Sequence, residues 1–193
     1  MKLEGPIWLM QPIPYFGEEL NLSDWVWEPK VDGWRMQVLK HKGKTTLFGR
    51  RLESNPDWTE RLAHIAKIAD GFLPPETLLD CELCSTKGRR FIPSLFAKNK
   101  KAEPVIYVFD IVFLNGDFVG DLPLYKRRQL LSKLKLEKPF TLIPQREIKG
   151  LASALKEAIE GGNEGIVIKE VNSKYLIAKD GPIATEWWRK IKG

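Results

Sequence analysis

The sequence predicts an α+β fold with largely antiparallel sheets flanked by helices, and three observations carry that prediction. Strand-like apolar runs are joined by short turns more often than by helical crossovers. Helical periodicity is confined to three stretches. The 193 residues contain no long polar or Gly/Ser-rich linker, so residues 1–193 read as one domain.

The opening stretch MKLEGPIWLMQPIP is broken by Pro6, Pro12 and Pro14 before any apolar run reaches signal-peptide length, and nothing later approaches a membrane span. A cytoplasmic protein without membrane contacts is expected. In EPKVDGWR, residues 28–35, Pro29 biases Glu28 toward extended backbone, and Gly33 permits a tight turn after Asp32. From Trp34 to Leu39 apolar and polar residues roughly alternate; Lys42-Gly43 then offers a turn and TTLFG resumes strand composition, which makes a hairpin. A helix is predicted from Asp57, because Asp57 and Glu60 have capping-box spacing and Trp58, Leu62, Ile65, Ala66 and Ala69 form one apolar stripe ending before Gly71. After Pro74-Pro75 comes the strand ETLLDCEL; beyond a basic loop, VIYVFDIVFLNGDFV reads as a long strand turning at Asn115-Gly116. PLYKRRQLLSKL and LASALKEAIE are the other two helices, the second stopped by Gly161-Gly162, and the strand EGIVIKE follows at once. The sequence ends in WWRKIKG.

Composition narrows the function. Hydrophobic residues at 43% and charged residues at 29% exclude a disordered chain. Lys and Arg outnumber Asp and Glu by 31 to 25, and the net charge of +6 favours a polyanionic partner such as nucleic acid. Cys81 and Cys84 stand three apart in a strand, so they point to opposite faces and read as two buried or half-buried side chains rather than a redox pair. With only His41 and His64 besides, a structural zinc site lacks ligands.

Charged residues recur where the strands should be apolar: Lys30, Asp32 and Arg35; Arg50; Asp80 and Glu82; Asp110; Glu164 and Lys169; Lys190 and Lys192. Each could sit at a strand end facing water. Uncompensated burial of charge is expensive, so their repetition suggests convergence on a shared polar cleft that a ligand fills. The KxDGxR pattern fixes four positions and should arise by chance in roughly one in a thousand chains of this length.

KVDGWR, LLDCEL, VFDIVFLNG, EGIVIK and WRKIK, in that order and spacing, resemble the nucleotidyltransferase motifs of ATP-dependent DNA ligases, within the superfamily of covalent nucleotidyltransferases. The resemblance covers nearly the whole chain and implies the DNA ligase and capping-enzyme nucleotidyltransferase fold, which is ATP-grasp-like. EGIVIK, the arginine at Arg35 and the PLYKRR helix resemble DNA ligases more than capping enzymes or RNA ligases, which stay as alternatives beside a non-catalytic nucleotide- or DNA-binding module. Two departures stand out: Cys81 replaces the glycine usual in the second motif, and Gly49-Arg50-Arg51 matches the family's Ser-Arg-Asn stretch only loosely.

The resemblance implies that Lys30 attacks the α-phosphate of ATP and carries AMP, which then passes to a 5′-phosphate at a nick in duplex DNA. A lysine must be neutral to attack, and its reference pKa of about 10.4 works against that. Partial burial and the nearby cations Lys190 and Lys192 are expected to help. By the same resemblance Glu28 contacts the adenine amino group, Arg35 and Glu82 the ribose region, and Phe109 one face of the base, with Arg50 a further contact. Lys169, Lys190 and Lys192 bind phosphate, and Glu164 with Glu82 holds Mg²⁺ or Mn²⁺. Lys87, Arg89 and Arg90, with Lys98, Lys100 and Lys101, lie near Phe91 and Phe96 in a loop suited to a DNA backbone. A monomer is expected, as is an oligonucleotide-binding domain supplied from elsewhere, in cis or by a partner.

Overall fold

Both predicted hairpins close as their turn residues demand. Lys42 and Gly43, at φ 49° and 73°, and Asn115 and Gly116, at 52° and 89°, all take the left-handed backbone of a two-residue type I′ turn. The computed structural model describes residues 1–54 and 56–193. In chain order the strands are β1 (Gln11–Pro14), β2 (Trp25–Pro29), β3 (Trp34–His41), β4 (Lys44–Gly49), β5 (Thr77–Ser85), β6 (Pro104–Leu114) and β7 (Asp117–Phe118). They continue with β8 (Phe140–Leu142), β9 (Arg146–Glu147), β10 (Gly165–Glu170) and β11 (Ala184–Lys192). The helices are α1 (Ala63–Phe72), α2 (Ile92–Leu95), α3 (Leu124–Lys133) and α4 (Leu151–Glu160).

The strands build two sheets, one ordered β1-β11-β10-β2-β9 and the other β4-β3-β5-β6-β7 with β8 added beside β6. Among the described pairs only β1–β11 and β6–β8 are parallel. Side-chain alternation then sorts the core into three layers. Met36, Val38, Leu79, Cys81, Leu83, Ile106 and Val108 face Ile65, Ala69, Ile92, Leu95 and Leu131 of α1, α2 and α3. Trp25, Trp27, Ile166 and Ile168 face Ala154 and Ala158 of α4. A third cluster, Met10, Leu39, Leu78, Val112, Phe113, Tyr175 and Trp188, fills the space between the sheets. Where that apolar filling stops, a cleft opens.

The first helix differs from expectation. It starts at Ala63 rather than Asp57, and Asp57 instead bridges to Phe48 while its Oδ1 accepts from the Thr59 amide at 2.9 Å. Residues 56–58 follow β4: the Gly49 amide donates to Pro56 O at 2.9 Å and the Trp58 amide to Leu47 O at 2.8 Å. Tertiary pairing with an open strand edge thus overrides a local capping pattern. α4 begins and ends where its periodicity says it should.

Candidate active site

Lys30 is positioned by backbone bonds that carry the β2–β10 ladder one step past Pro29. Its amide donates to Gly165 O at 2.8 Å, and the Glu164 amide donates back to Lys30 O at 3.0 Å. The two side chains therefore meet, and Lys30 Nζ donates to Glu164 Oε2. Gly165 pairs with Lys192, whose Nζ lies 4.0 Å from the same carboxylate oxygen. Three segments distant in sequence converge here because Gly165 lets them: a Cβ on it would collide with the Ile191 carbonyl. Gly33 acts likewise. The chain bends at Gly33, as expected after Asp32, but without left-handed backbone; what the glycine provides is close approach, since a Cβ there would lie 2.5 Å from Leu83 O and 2.7 Å from Glu82 Cγ. That approach seats the KVDGW loop on β5.

Lys30 stands at a cavity of about 620 Å³ between the two sheets. Alternation along β11 turns Trp188, Lys190 and Lys192 into it, while Arg189 points away to Glu18. β10 contributes Val167 and Lys169, and β2 contributes Glu28. Lys169 and Glu28 sit diagonally across the β2–β10 ladder, with Nζ 2.7 Å from Oε2, at 2% and 4% side-chain exposure. The angle is too poor for a hydrogen bond. The ammonium is instead supported by aromatic faces, 4.0 Å from the Trp188 ring and 5.0 Å from that of Phe109. Gln145 Nε2 donates to Glu28 Oε1 at 2.9 Å, and Arg128 Nη1 stands 4.0 Å from it.

On the opposite wall Arg35 lies with its guanidinium carbon 4.5 Å from the Phe109 centroid and grips Asp80 with two bonds of 2.6 Å. Glu82, directly across the ladder from Arg35, is half-buried. Burial pushes its carboxyl up to about 7, with Arg35 and Lys30 pulling the other way.

Of the residues singled out in the sequence, Glu28, Lys30, Arg35, Arg50, Glu82, Phe109, Lys169, Lys190 and Lys192 all line this cavity, and Glu164 joins through Lys30. Asp110 does not. It is 0% exposed, its Oδ1 2.8 Å from Arg127 Nε, so its charge serves the packing of α3 on β6 rather than the cleft. Asp32 sits at the rim, where Arg89 Nη1 donates to it at 2.7 Å and to Gly33 O at 3.0 Å. The basic loop splits in two. Lys87, Arg89 and Arg90 line an adjoining hollow that shares Trp34 and Arg89 with the main cavity. Lys98, Lys100 and Lys101 line neither cavity, and Lys100 Nζ rests 3.0 Å from His64 Nε2. Trp34, Trp58, Ile143 and Trp188 line the cavity unforeseen. Trp188 was within reach, since it precedes Lys190 and Lys192 at the same period of two. Ile143 carries no local signal.

Among the described residues no group of three or more His, Cys, Asp or Glu side chains is placed to hold a metal ion. Two carboxylates, Glu164 and Glu82, are on hand beside Lys30, which suits Mg²⁺ bound through one or two carboxylates with phosphate oxygens and water completing its shell.

The model of the ATP-dependent DNA ligase domain matches residues 10–192. The chain belongs to that family. It is 31% identical over 182 residues to a DNA ligase of Methanothrix thermoacetophila, covering 86% of this chain and 31% of that protein. DNA ligase 4 of Candida glabrata is 28% identical over 209 residues, covering 91% of this chain and 21% of the yeast protein. The chain thus spans less than a third of the length of these ligases. Among solved structures, mycobacterial DNA ligase D complexed with ATP matches with a TM-score of 0.68 at 21% identity, over 95% of this chain and 60% of the other. Chlorella virus DNA ligase-adenylate matches with a TM-score of 0.61 at 17% identity, over 95% and 69%. These likenesses bear out the α+β nucleotidyltransferase fold expected from the motifs. No helix among the described residues is long and apolar enough to cross a membrane.

Proposed function

We propose that this chain is the adenylation domain of an ATP-dependent DNA ligase, with Lys30 the residue that carries AMP. The observation that supports it best is the convergence of Lys30, Glu164 and Lys192 at one end of a nucleotide-sized cavity lined by the other motif residues. In the reaction the Lys30 amine, having given up a proton, attacks the α-phosphorus of ATP; a phosphorus–nitrogen bond forms and the bond to the bridging oxygen breaks, that oxygen leaving with pyrophosphate. Lys190, Lys192 and Arg50 supply positive charge along the phosphates, while Lys169, expected among the phosphate contacts, is neutralised by Glu28 at the base end. Glu28 recognises the base, Phe109 packs against it, and Arg35 and Glu82 meet the sugar. Glu164 and Glu82 would hold Mg²⁺ or Mn²⁺, whose chemistry is to neutralise charge as pyrophosphate leaves.

In this reading AMP then passes to the 5′-phosphate of nicked duplex DNA, and attack by the 3′-hydroxyl seals it. Lys87, Arg89 and Arg90 contact the backbone from the hollow beside the cavity, and Lys98, Lys100 and Lys101 from beyond α2, which interrupts the single loop expected from the sequence. An oligonucleotide-binding domain, in cis or from a partner, completes the assembly, in keeping with the share of its relatives' length that the chain spans. The protein acts in the cytoplasm as a monomer.

Incubation with α-labelled ATP and Mg²⁺ followed by denaturing electrophoresis tests the central step. Label should stay on the protein, should vanish in Lys30→Ala, and should chase onto nicked DNA. Label retained from GTP and not ATP, or transferred to nicked RNA alone, would point to a capping-type enzyme or an RNA ligase instead. No covalent label at all would leave only a binding module.

A further inference from the structure

Below the cavity a closed ring of hydrogen bonds ties one sheet to the segments that flank the other. Arg35 Nε and Nη2 donate to Oδ1 and Oδ2 of Asp80, each at 2.6 Å, which joins β3 to β5. The same Nη2 donates to the Met10 carbonyl at 3.0 Å. The Met10 amide donates to Tyr175 Oη at 3.1 Å, and the Tyr175 hydroxyl donates to Asp80 Oδ2 at 2.6 Å, closing the ring. Met10 leads into β1 and Tyr175 follows β10, so the ring spans the gap between the sheets. Asp80 is 0% and Tyr175 1% exposed. Burial shields these bonds from solvent competition, and removing one partner leaves the others unpaired at full cost. Burial, then the Asp80 charge, holds the phenol above its ordinary range, so it remains a donor throughout neutral pH.

Arg35 has one nitrogen to spare. Nε and Nη2 are committed to the ring, while Nη1 makes no hydrogen bond among the described residues, and the residue lines the cavity. A guanidinium held bidentately on one edge presents its remaining N–H groups in a fixed direction.

We propose that Tyr175 is a positioning residue for nucleotide recognition: acting through Asp80, it fixes the Arg35 guanidinium so that the free Nη1 meets a sugar hydroxyl of the bound nucleoside triphosphate. The inference rests on the adenylation reading above, in which Arg35 faces the ribose. A purely structural tyrosine would weaken binding of every nucleotide alike. A positioning tyrosine weakens it selectively, according to whether the sugar carries the hydroxyl that Arg35 reads.

The test is nucleotide binding by the 193-residue chain, followed by tryptophan fluorescence with ATP, 2′-deoxy-ATP and 3′-deoxy-ATP, for the wild type and Tyr175→Phe. The wild type should prefer ATP over at least one deoxy form, and Tyr175→Phe should lose about tenfold in ATP affinity while losing much less for that form, as expected when one buried bond to a charged group is removed. The preference then collapses toward unity. Equal losses for all three nucleotides, no change for any, or a wild type indifferent to both hydroxyls would overturn the proposal. A wild type that binds no ATP would sink the adenylation reading and this inference with it. Should Tyr175→Phe fail to fold, hydrogen exchange of the wild type decides: ATP should slow exchange of the Met10 amide more than the discriminated deoxy form does. Equal protection by both would overturn the inference.

Discussion

Replacing Glu28 by glutamine should be among the most damaging conservative changes available to this domain. Lys169 is 2% exposed, and its only carboxylate partner among the described residues is Glu28, at 2.7 Å. Glutamine keeps the shape and an acceptor but removes the charge, leaving a buried ammonium with aromatic faces and no counter-ion, while Arg128 Nη1 at 4.0 Å loses its nearest carboxylate as well. Breaking such a pair costs about 3–5 kcal/mol, a large part of the roughly 5–15 kcal/mol by which domains are stable. The converse change, Lys169→Met, leaves Glu28 with the Gln145 donor and Arg128 beside it, and should cost less, about 1–3 kcal/mol. The double variant Glu28→Gln with Lys169→Met removes both charges and should recover most of the loss. Urea unfolding is the assay. A Glu28→Gln unfolding free energy within about 1 kcal/mol of wild type, or a double variant as unstable as the sum of the singles, would refute the view that this pair is charged and mutually dependent.

Gly165→Ala drives a Cβ into the Ile191 carbonyl at a backbone of φ 152°. It should cost about 2–4 kcal/mol and reduce lysyl-AMP formation beyond what its unfolding midpoint explains, because Lys192 moves with that strand; a thermal melt alongside the labelling assay checks both. Glu82 titrates near 7 when folded, above its ordinary range, so the stability it lends is present below about pH 4.5 and lost as pH rises through 7. Glu82→Gln should therefore gain on wild type by on the order of 3 kcal/mol between pH 4 and pH 8, and a difference flat across that range would contradict the assigned burial. Replacing Lys87, Arg89 and Arg90 together by alanine should weaken binding to nicked duplex DNA and lower the salt-dependence slope by about 0.9 for each phosphate that no longer meets a cation. An unchanged slope would remove that hollow from the DNA surface.

What could be read from the sequence is what one strand or turn decides by itself. Lys42-Gly43 and Asn115-Gly116 specify their turns, LASALKEAIE specifies its helix to the residue, and alternation in WRKIK places Lys190 and Lys192 on one face. The failures share one physical origin: each needed knowledge of a partner in another element of the fold. Asp57 has a capping pattern but lies beside an open edge of β4, and the edge prevails. Asp110 looks like a cleft carboxylate until Arg127 of α3 takes it.

The same reasoning explains why charge crowding was a sound guide to this cleft although it failed for single residues. A buried charge persists only where something balances it, and the chain offers two kinds of balance. Asp110 and Arg127 balance one another completely at 0% exposure, with nothing left over for a ligand. Around Lys30 the balance is incomplete: two ammonium groups crowd Glu164, Glu82 is disfavoured as a carboxylate, and Arg35 keeps one nitrogen unused. Charges that pair off among themselves build a core, whereas charges left partly unpaired around a cavity specify what must enter it. Here the surplus is cationic along Lys30, Arg50, Lys190 and Lys192 and neutralised at Glu28 and Lys169, the distribution that a molecule with an anionic tail and an uncharged head would complete.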